Sequence, residues 1–149
     1  MLLWRISNHV SLDGKGGLEW PGRWHTRGRR VVYCAQTPAA ALLETLVHLE
    51  IPLADLPPRY RLMKIAAPDD VSVRSVAAAD LPDDWIDDLL VTRAVGDDWL
   101  AARTSVLLLV PSAIVPETHN VLINPDHPDA TGVRLVETSE HVIDPRLVN

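Results

Sequence analysis

The most constraining feature of the sequence is a short strand that leads directly into a well-marked helix. Residues 31–33 are a β-branched and aromatic run that is typical of a buried strand. Thr37 is a suitable N-cap, and Pro38 fits the first helical position, where no N–H is needed. Pro52 sets the limit of the helix, because proline disfavours a helical conformation in the residue before it.

The predicted helix has two different faces. Its apolar stripe follows the helical period and consists of Leu42, Leu43, Leu46, Val47 and Ile51. Ala40, Glu44 and His48 fall on another face at intervals of four residues. Glu44 can therefore face a pocket next to the strand, although a solvated Glu44–His48 pair is an equally simple interpretation.

The rest of the chain predicts a mixture of strands and helices without regular alternation. Residues 7–22 form a loop, and a helix is predicted around Leu81, Trp85 and Leu89, followed by a short one at 97–103. Further strands are predicted at 2–6, 60–66, 71–76, 106–110, 121–123 and 133–136. This order favours an α+β fold, with a mixed or antiparallel sheet core and flanking helices, in a single domain spanning residues 1–149.

Composition and charge narrow the classes of function. The formal net charge of −6 disfavours general binding to nucleic acid. No apolar run approaches the roughly 20 residues that span a bilayer, and the N-terminus lacks a signal-peptide pattern, so we expect a cytoplasmic protein without a membrane partner. The single cysteine, Cys34, is expected to be a buried apolar residue. His119, Asp126 and His127 match no common zinc spacing, so we expect no metal.

A group of arginines is the main exception to the acidic character of the chain. Arg23, Arg27, Arg29 and Arg30 lie within eight residues, and no acidic residue interrupts them. Such a cluster in an acidic protein suggests a small anionic ligand more than a long polyanion. A solvated basic loop is the alternative.

Three side chains near this cluster form a chemically coherent set. The Arg23 guanidinium can form two hydrogen bonds to a phosphate. The Tyr33 ring can stack on a flat ligand, and the Glu44 carboxylate can reach the same pocket from the helix. The set would suit a site that cleaves a dinucleotide, but Arg23 could equally pair with a surface acid and Tyr33 could be a core residue.

Two segments of the chain resemble the signatures of the RES domain family. They are GRWHTRGRRVVYCAQTPAAALLETLVHL and VLLLVPSAIVPETHNVLINPDHPDA. Arg23, Glu44 and Ser112 stand at the arginine, glutamate and serine for which the family is named, and Arg5 matches an arginine of its first strand. His25 stands where the family usually has asparagine.

The resemblance implies a fold similar to that of ADP-ribosyltransferases and a site for NAD⁺ as substrate. It implies that Glu44, Tyr33 and Arg23 carry out cleavage of the nicotinamide–ribose bond, without a metal. It also implies that Arg5, Arg23, Tyr33 and Ser112 bind the dinucleotide, with Ser112 bonded either to a ribose hydroxyl or to Glu44 itself. Glu44 would hold the ribose 2′-hydroxyl and stabilise the positive charge that develops at C1′.

The resemblance also implies a biological setting and alternatives within it. The chain would be the toxin of a type II toxin–antitoxin system that depletes NAD⁺ and arrests growth. Its partner would be an Xre-type helix-turn-helix antitoxin, in an oligomer containing both proteins, with no direct contact to nucleic acid. The alternative is an ADP-ribosyltransferase that modifies a cellular protein; an RNA-cleaving toxin is supported only by the arginines together with His25.

Overall fold

A seven-stranded mixed sheet forms the centre of the protein in the computed structural model, which describes residues 1–147. The strands are β1 (Leu2–Ile6), β2 (Val32–Ala35), β3 (Arg59–Ala66), β4 (Val73–Ser75), β5 (Leu107–Pro111), β6 (His119–Ile123) and β7 (Arg134–Val142). Their order in the sheet is β4-β5-β6-β2-β1-β3-β7. Only β4 and β5 are parallel among these neighbours; the other pairs are antiparallel. The expected α+β class with a mixed sheet is confirmed.

Three α-helices accompany the sheet within residues 1–147: α1 (Gly16–Glu19), α2 (Pro38–His48) and α3 (Leu89–Ala102). Short 3-10 segments lie at Leu53–Asp55, Ala78–Asp80, Pro128–Gly132 and Pro145–Leu147. No helix within the described residues is long and apolar enough to cross a membrane.

The core consists of two clusters on opposite faces of the sheet. Side chains alternate between the faces along each strand, so Val121 and Leu122 belong to different clusters. One cluster contains Leu3, Val32, Met63, Ile65 and Val121; the other contains Trp24, Trp85, Trp99, Leu108 and Leu122. Helix α3 covers the second face through Trp99 and Leu100, and this cluster also packs against Tyr33.

Helix α2 begins as the sequence predicts. The Thr37 hydroxyl accepts a hydrogen bond from the Ala40 N–H at 3.1 Å, and the helix ends at His48, before Pro52. Its apolar stripe is only partly covered, because Leu43 and Val47 are 39% and 53% exposed. The buried residue of α2 is the small Ala41; the helix packs mainly on β1 and β2, and Glu44 also reaches Ser112 and Asn120.

The helix predicted around Leu81, Trp85 and Leu89 was wrong, whereas the one predicted at 97–103 is the last part of a longer helix. Leu81 and Trp85 enter the core from turns, and one continuous helix begins at Leu89, where the Asp88 carboxylate caps the Leu90 N–H at 3.0 Å. Gly96 lies inside this helix because a Cβ there would overlap the carbonyl oxygen of Trp24. Turns thus place Leu81 and Trp85, which are four residues apart, in the same core without forming a helix.

Candidate active site

A cleft of about 740 Å³ opens at the centre of the sheet. Strands β1 and β2 are paired only at Trp4 and Ala35. The neighbouring pairs, β1 with β3 and β2 with β6, have longer ladders. Beyond this pair the two strands separate, and residues from both strands line the cleft together with α2 and the loop before β2. The site therefore lies between two central strands instead of at an edge of the sheet.

The Glu44 carboxylate lies on the wall of this cleft and is held by two donors. The Ser112 hydroxyl donates to Oε1 of Glu44 at 2.6 Å, and the Asn120 side-chain amide donates to the same oxygen at 2.8 Å. Within residues 1–147, Oε2 of Glu44 has no hydrogen-bond partner. One carboxylate oxygen is thus fixed by the protein, and the other is available to a ligand.

Three separate elements meet at this carboxylate. Glu44 comes from α2, Ser112 follows the end of β5, and Asn120 lies on β6, opposite Ala35 of β2. The Ser112 hydroxyl also accepts hydrogen bonds from two backbone N–H groups of the following turn, at 3.1 and 3.2 Å. Ser112 is 2% exposed and does not line the cleft, so its direct partner is Glu44.

Tyr33 lines the cleft with its hydroxyl fully engaged. The hydroxyl accepts from the Trp24 N–H at 3.1 Å and lies 2.7 Å from Nδ1 of His25. The other ring nitrogen of His25, Nε2, lies 2.9 Å from the Trp20 carbonyl oxygen, which can only accept. Nε2 therefore carries the proton, and Nδ1 accepts from the tyrosine hydroxyl. Only the ring of Tyr33 remains for a ligand.

Burial keeps this network in its neutral form. Desolvation lowers the pKa of His25 below its ordinary value, and desolvation raises the pKa of the Tyr33 hydroxyl far above its ordinary value. Gly22 allows the loop to pass over this pair, because a Cβ at that position would collide with the Tyr33 hydroxyl. His25 therefore holds the Tyr33 ring and the loop in place. The sequence alone showed only that His25 stands where the family usually has asparagine.

Arg23 and Arg5 are the two arginines on the cleft wall. Arg23 is tied to the segment before α3, because its Nη1 donates to the Ile86 carbonyl at 2.7 Å. Arg5 lies on β1, and its Nε is buried with no hydrogen-bond partner in the described part of the chain. A buried guanidinium nitrogen without a hydrogen-bond partner carries an uncompensated desolvation cost.

The other arginines of the cluster do not share this site. Arg29 pairs with Asp97 at 3.1 Å, and Arg30 reaches the Asp13 carbonyl at 3.4 Å. Both border a separate depression of about 240 Å³ that also contains Arg103. The four-arginine cluster is therefore not one anion site, and Arg23 alone among its members lines the cleft.

Cys34 and the loop after β6 have the burial and hydrogen bonds of residues with a structural role. Cys34 is 5% exposed, and burial raises the pKa of its thiol to about 12, so it is protonated at neutral pH. His127 caps the 3-10 segment that follows it, because its Nδ1 accepts from the Asp129 N–H at 3.0 Å. The Asn124 side-chain amide donates to the Leu100 carbonyl at 3.2 Å and thus links this loop to α3.

Sequence reasoning missed two residues of the site. Asn120 was overlooked, although a polar residue beside the apolar run 121–123 in a central strand is a signal for a buried hydrogen bond. Trp20 was also overlooked; it lines the cleft with an indole that is 73% exposed. His48 was noted on the Glu44 face of the helix, and the structure places it on the cleft wall.

Comparison with known proteins places the chain among bacterial toxins. Residues 2–144 match the family model described as RES domain. A protein named Toxin Res from Pseudomonas putida is 45% identical over 147 residues, which covers 99% of each chain. A protein named Prs ADP-ribosylating toxin from a Sphingobium species is 37% identical over 155 residues, covering 97% of this chain and 95% of that protein.

A solved structure supports the fold. The crystal structure of the M. tuberculosis MbcT–MbcA toxin–antitoxin complex contains a chain that superposes with a TM-score of 0.77 at 21% identity. The match covers 99% of this chain and 86% of that chain. At this identity the likeness concerns the fold alone.

Proposed function

This chain belongs to the RES domain family, and we propose that it is a toxin that binds NAD⁺ in the cleft and cleaves its nicotinamide–ribose bond. The observation that carries the proposal is the Glu44 carboxylate, which lines the cleft with one oxygen fixed by Ser112 and Asn120. The names of the relatives as toxins, one of them ADP-ribosylating, support the same reading.

The fixed carboxylate suits this chemistry. As the bond to nicotinamide breaks, its electrons move to the ring nitrogen, and positive charge develops at C1′ and the ring oxygen of the ribose. Oε2 of Glu44 accepts a hydrogen bond from the ribose 2′-hydroxyl and stabilises that charge. Because two donors already hold Oε1, the carboxylate does not have to reorient during the reaction. The leaving group is a neutral nicotinamide, which requires no metal.

Tyr33 and the two cleft arginines have separate parts in this proposal. Tyr33 stacks on the nicotinamide ring, since its hydroxyl is already occupied. Arg5 lines the cleft and binds a diphosphate oxygen through its guanidinium group. Arg23 contacts the diphosphate or ribose oxygens from the opposite loop. Of its two expected roles, Ser112 takes the one that acts on the substrate through Glu44.

The acceptor of the ADP-ribosyl group defines a second candidate. Transfer to water or phosphate would deplete NAD⁺, whereas transfer to a protein would modify a target. The relative named as an ADP-ribosylating toxin favours the second possibility. An RNA-cleaving activity loses its support, because both ring nitrogens of His25 are hydrogen-bonded and its side chain is buried.

The setting of the proposal is a type II toxin–antitoxin system in the cytoplasm. The partner would be an Xre-type helix-turn-helix antitoxin that covers the cleft, in an oligomer containing both proteins. The structural neighbour, described as a toxin–antitoxin complex, supports an antitoxin partner. Covering the cleft would block NAD⁺ and so protect the cell.

The test is the intracellular NAD⁺ level after induction of this chain without its partner. Glu44→Gln removes the charge at nearly constant volume, and Glu117→Gln is a matched control on an exposed residue outside the cleft. We expect NAD⁺ to fall with the native chain and the control but not with Glu44→Gln. Steady NAD⁺ together with growth arrest would refute depletion, and labelled ADP-ribose on a cellular protein would then establish transfer.

A further inference from the structure

His48 lies one helical turn after Glu44 on the side of α2 that faces the cleft. Ala41, Glu44, Thr45 and His48 all line the cleft, at intervals that place them on one face of the helix. His48 is exposed and stands at the end of α2, so its ring reaches the mouth of the cleft. The two ionisable side chains of this face are therefore a carboxylate and an imidazole.

The His48 ring is oriented by the backbone of its own helix. Its Nδ1 lies 2.8 Å from the Glu44 carbonyl oxygen. Because a carbonyl oxygen only accepts, Nδ1 must carry a hydrogen, and the neutral ring then has its lone pair at Nε2. Within residues 1–147, Nε2 has no hydrogen-bond partner. An imidazole held at one nitrogen and open at the other has the arrangement of a general base.

We propose that His48 is the proton acceptor for the molecule that captures the ADP-ribosyl group; this inference rests on the proposed cleavage of NAD⁺. With water as acceptor, an oxygen lone pair forms the new bond to C1′ as the bond to the nicotinamide nitrogen breaks. One water proton passes to Nε2 of His48 and is later released to solvent. The products are nicotinamide, ADP-ribose and a proton.

Glu44 and the other histidines on the cleft wall are less suited to this step. Glu44 is committed to the ribose hydroxyl in the proposed mechanism, and both ring nitrogens of His25 are occupied. His9 lines the cleft as well, but its ring makes no hydrogen bond within the described residues. His48 is thus the histidine on this wall whose ring is both oriented and open.

Nicotinamide exchange separates capture of the acceptor from cleavage of the bond. In purified protein with labelled nicotinamide, the ADP-ribosyl group either returns to nicotinamide, which labels NAD⁺, or reacts with water. Return to nicotinamide needs no base, whereas capture of water does. We expect His48→Ala and His48→Gln to lower hydrolysis about 100-fold or more while exchange persists. The ratio of exchange to hydrolysis should rise accordingly.

Two comparisons complete the experiment. Added imidazole should restore hydrolysis in His48→Ala, and His9→Ala should behave as the native chain. An unchanged ratio, or an equal loss of exchange and hydrolysis in both His48 variants, would overturn the role of His48 while leaving NAD⁺ cleavage established. Absence of both reactions in the native chain would instead refute the proposed function, and the role of His48 with it.

Discussion

Replacement of Ser112 by alanine tests whether the site depends on a fixed carboxylate. The change removes the 2.6 Å hydrogen bond to Glu44, and Asn120 remains as the only other donor to that oxygen within residues 1–147. A hydrogen bond to a charged group contributes about 1.5–3 kcal/mol. Since about 1.4 kcal/mol corresponds to a factor of ten, we expect kcat for nicotinamide release to fall about 10- to 100-fold. The dissociation constant for NAD⁺ should change little.

A double-mutant cycle separates positioning from direct contact. If Ser112 acts only through Glu44, Ser112→Ala should have almost no further effect in a Glu44→Ala background, which itself loses about 10²–10³ in rate. Ser75→Ala, on an exposed edge strand, controls for the loss of a hydroxyl. The reasoning is refuted if Ser112→Ala weakens NAD⁺ binding in both backgrounds, because Ser112 would then contact the substrate itself.

Three further predictions concern the fold and the cleft. Gly96→Ala should lower the free energy of unfolding in urea by about 1–3 kcal/mol, because the added Cβ would overlap the Trp24 carbonyl. The control Gly16→Ala should be neutral or stabilising, because its Cβ would meet nothing within 4 Å. Equal losses in the two variants would contradict this reasoning. The lowered pKa of His25 means that the unfolded chain binds the proton more readily. Stability should therefore be constant above pH about 6.5 and fall as the pH drops from there towards the folded pKa, and His25→Asn should remove that slope; an unchanged slope would assign it to other groups. Arg5→Gln should lower the affinity for NAD⁺ about 10- to 100-fold, measured by calorimetry in a catalytically inactive background. The protein should lose no stability, since the Nε of Arg5 is buried without a partner. A loss of stability at unchanged affinity would contradict this prediction.

The parts of the fold that the sequence predicted correctly are those with local causes. Helix α2 could be predicted because the Thr37 hydroxyl, directly before the helix, caps its first turn and a proline follows its end. Its periodicity also separated Glu44 from the apolar residues, and Glu44 lies on the cleft wall. Periodicity does not show whether a neighbour covers a face, and the exposure of Leu43 and Val47 could not be read from it.

The parts that could not be predicted depend on contacts between distant segments. Asn120 reaches Glu44 because β6 pairs with β2 in a register that places Asn120 opposite Ala35. A shift by one residue would turn Asn120 to the other face of the sheet. Gly96 lies within a continuous helix because Trp24 packs against it, a contact between segments 72 positions apart in the chain. No local pattern encodes either arrangement.

The position of the cleft explains why its residues can be held so firmly. An opening between two central strands leaves each wall attached to its own part of the sheet: β3 and β7 support β1, and β6 and β5 support β2. Arg5 belongs to the first wall, and Tyr33 with the donors to Glu44 belongs to the second. Strands β1 and β2 pair only at Trp4 and Ala35, and residues of both strands line the cleft. A ligand that contacts both walls would therefore meet groups already fixed by regular structure, as electrostatic stabilisation of a developing charge requires.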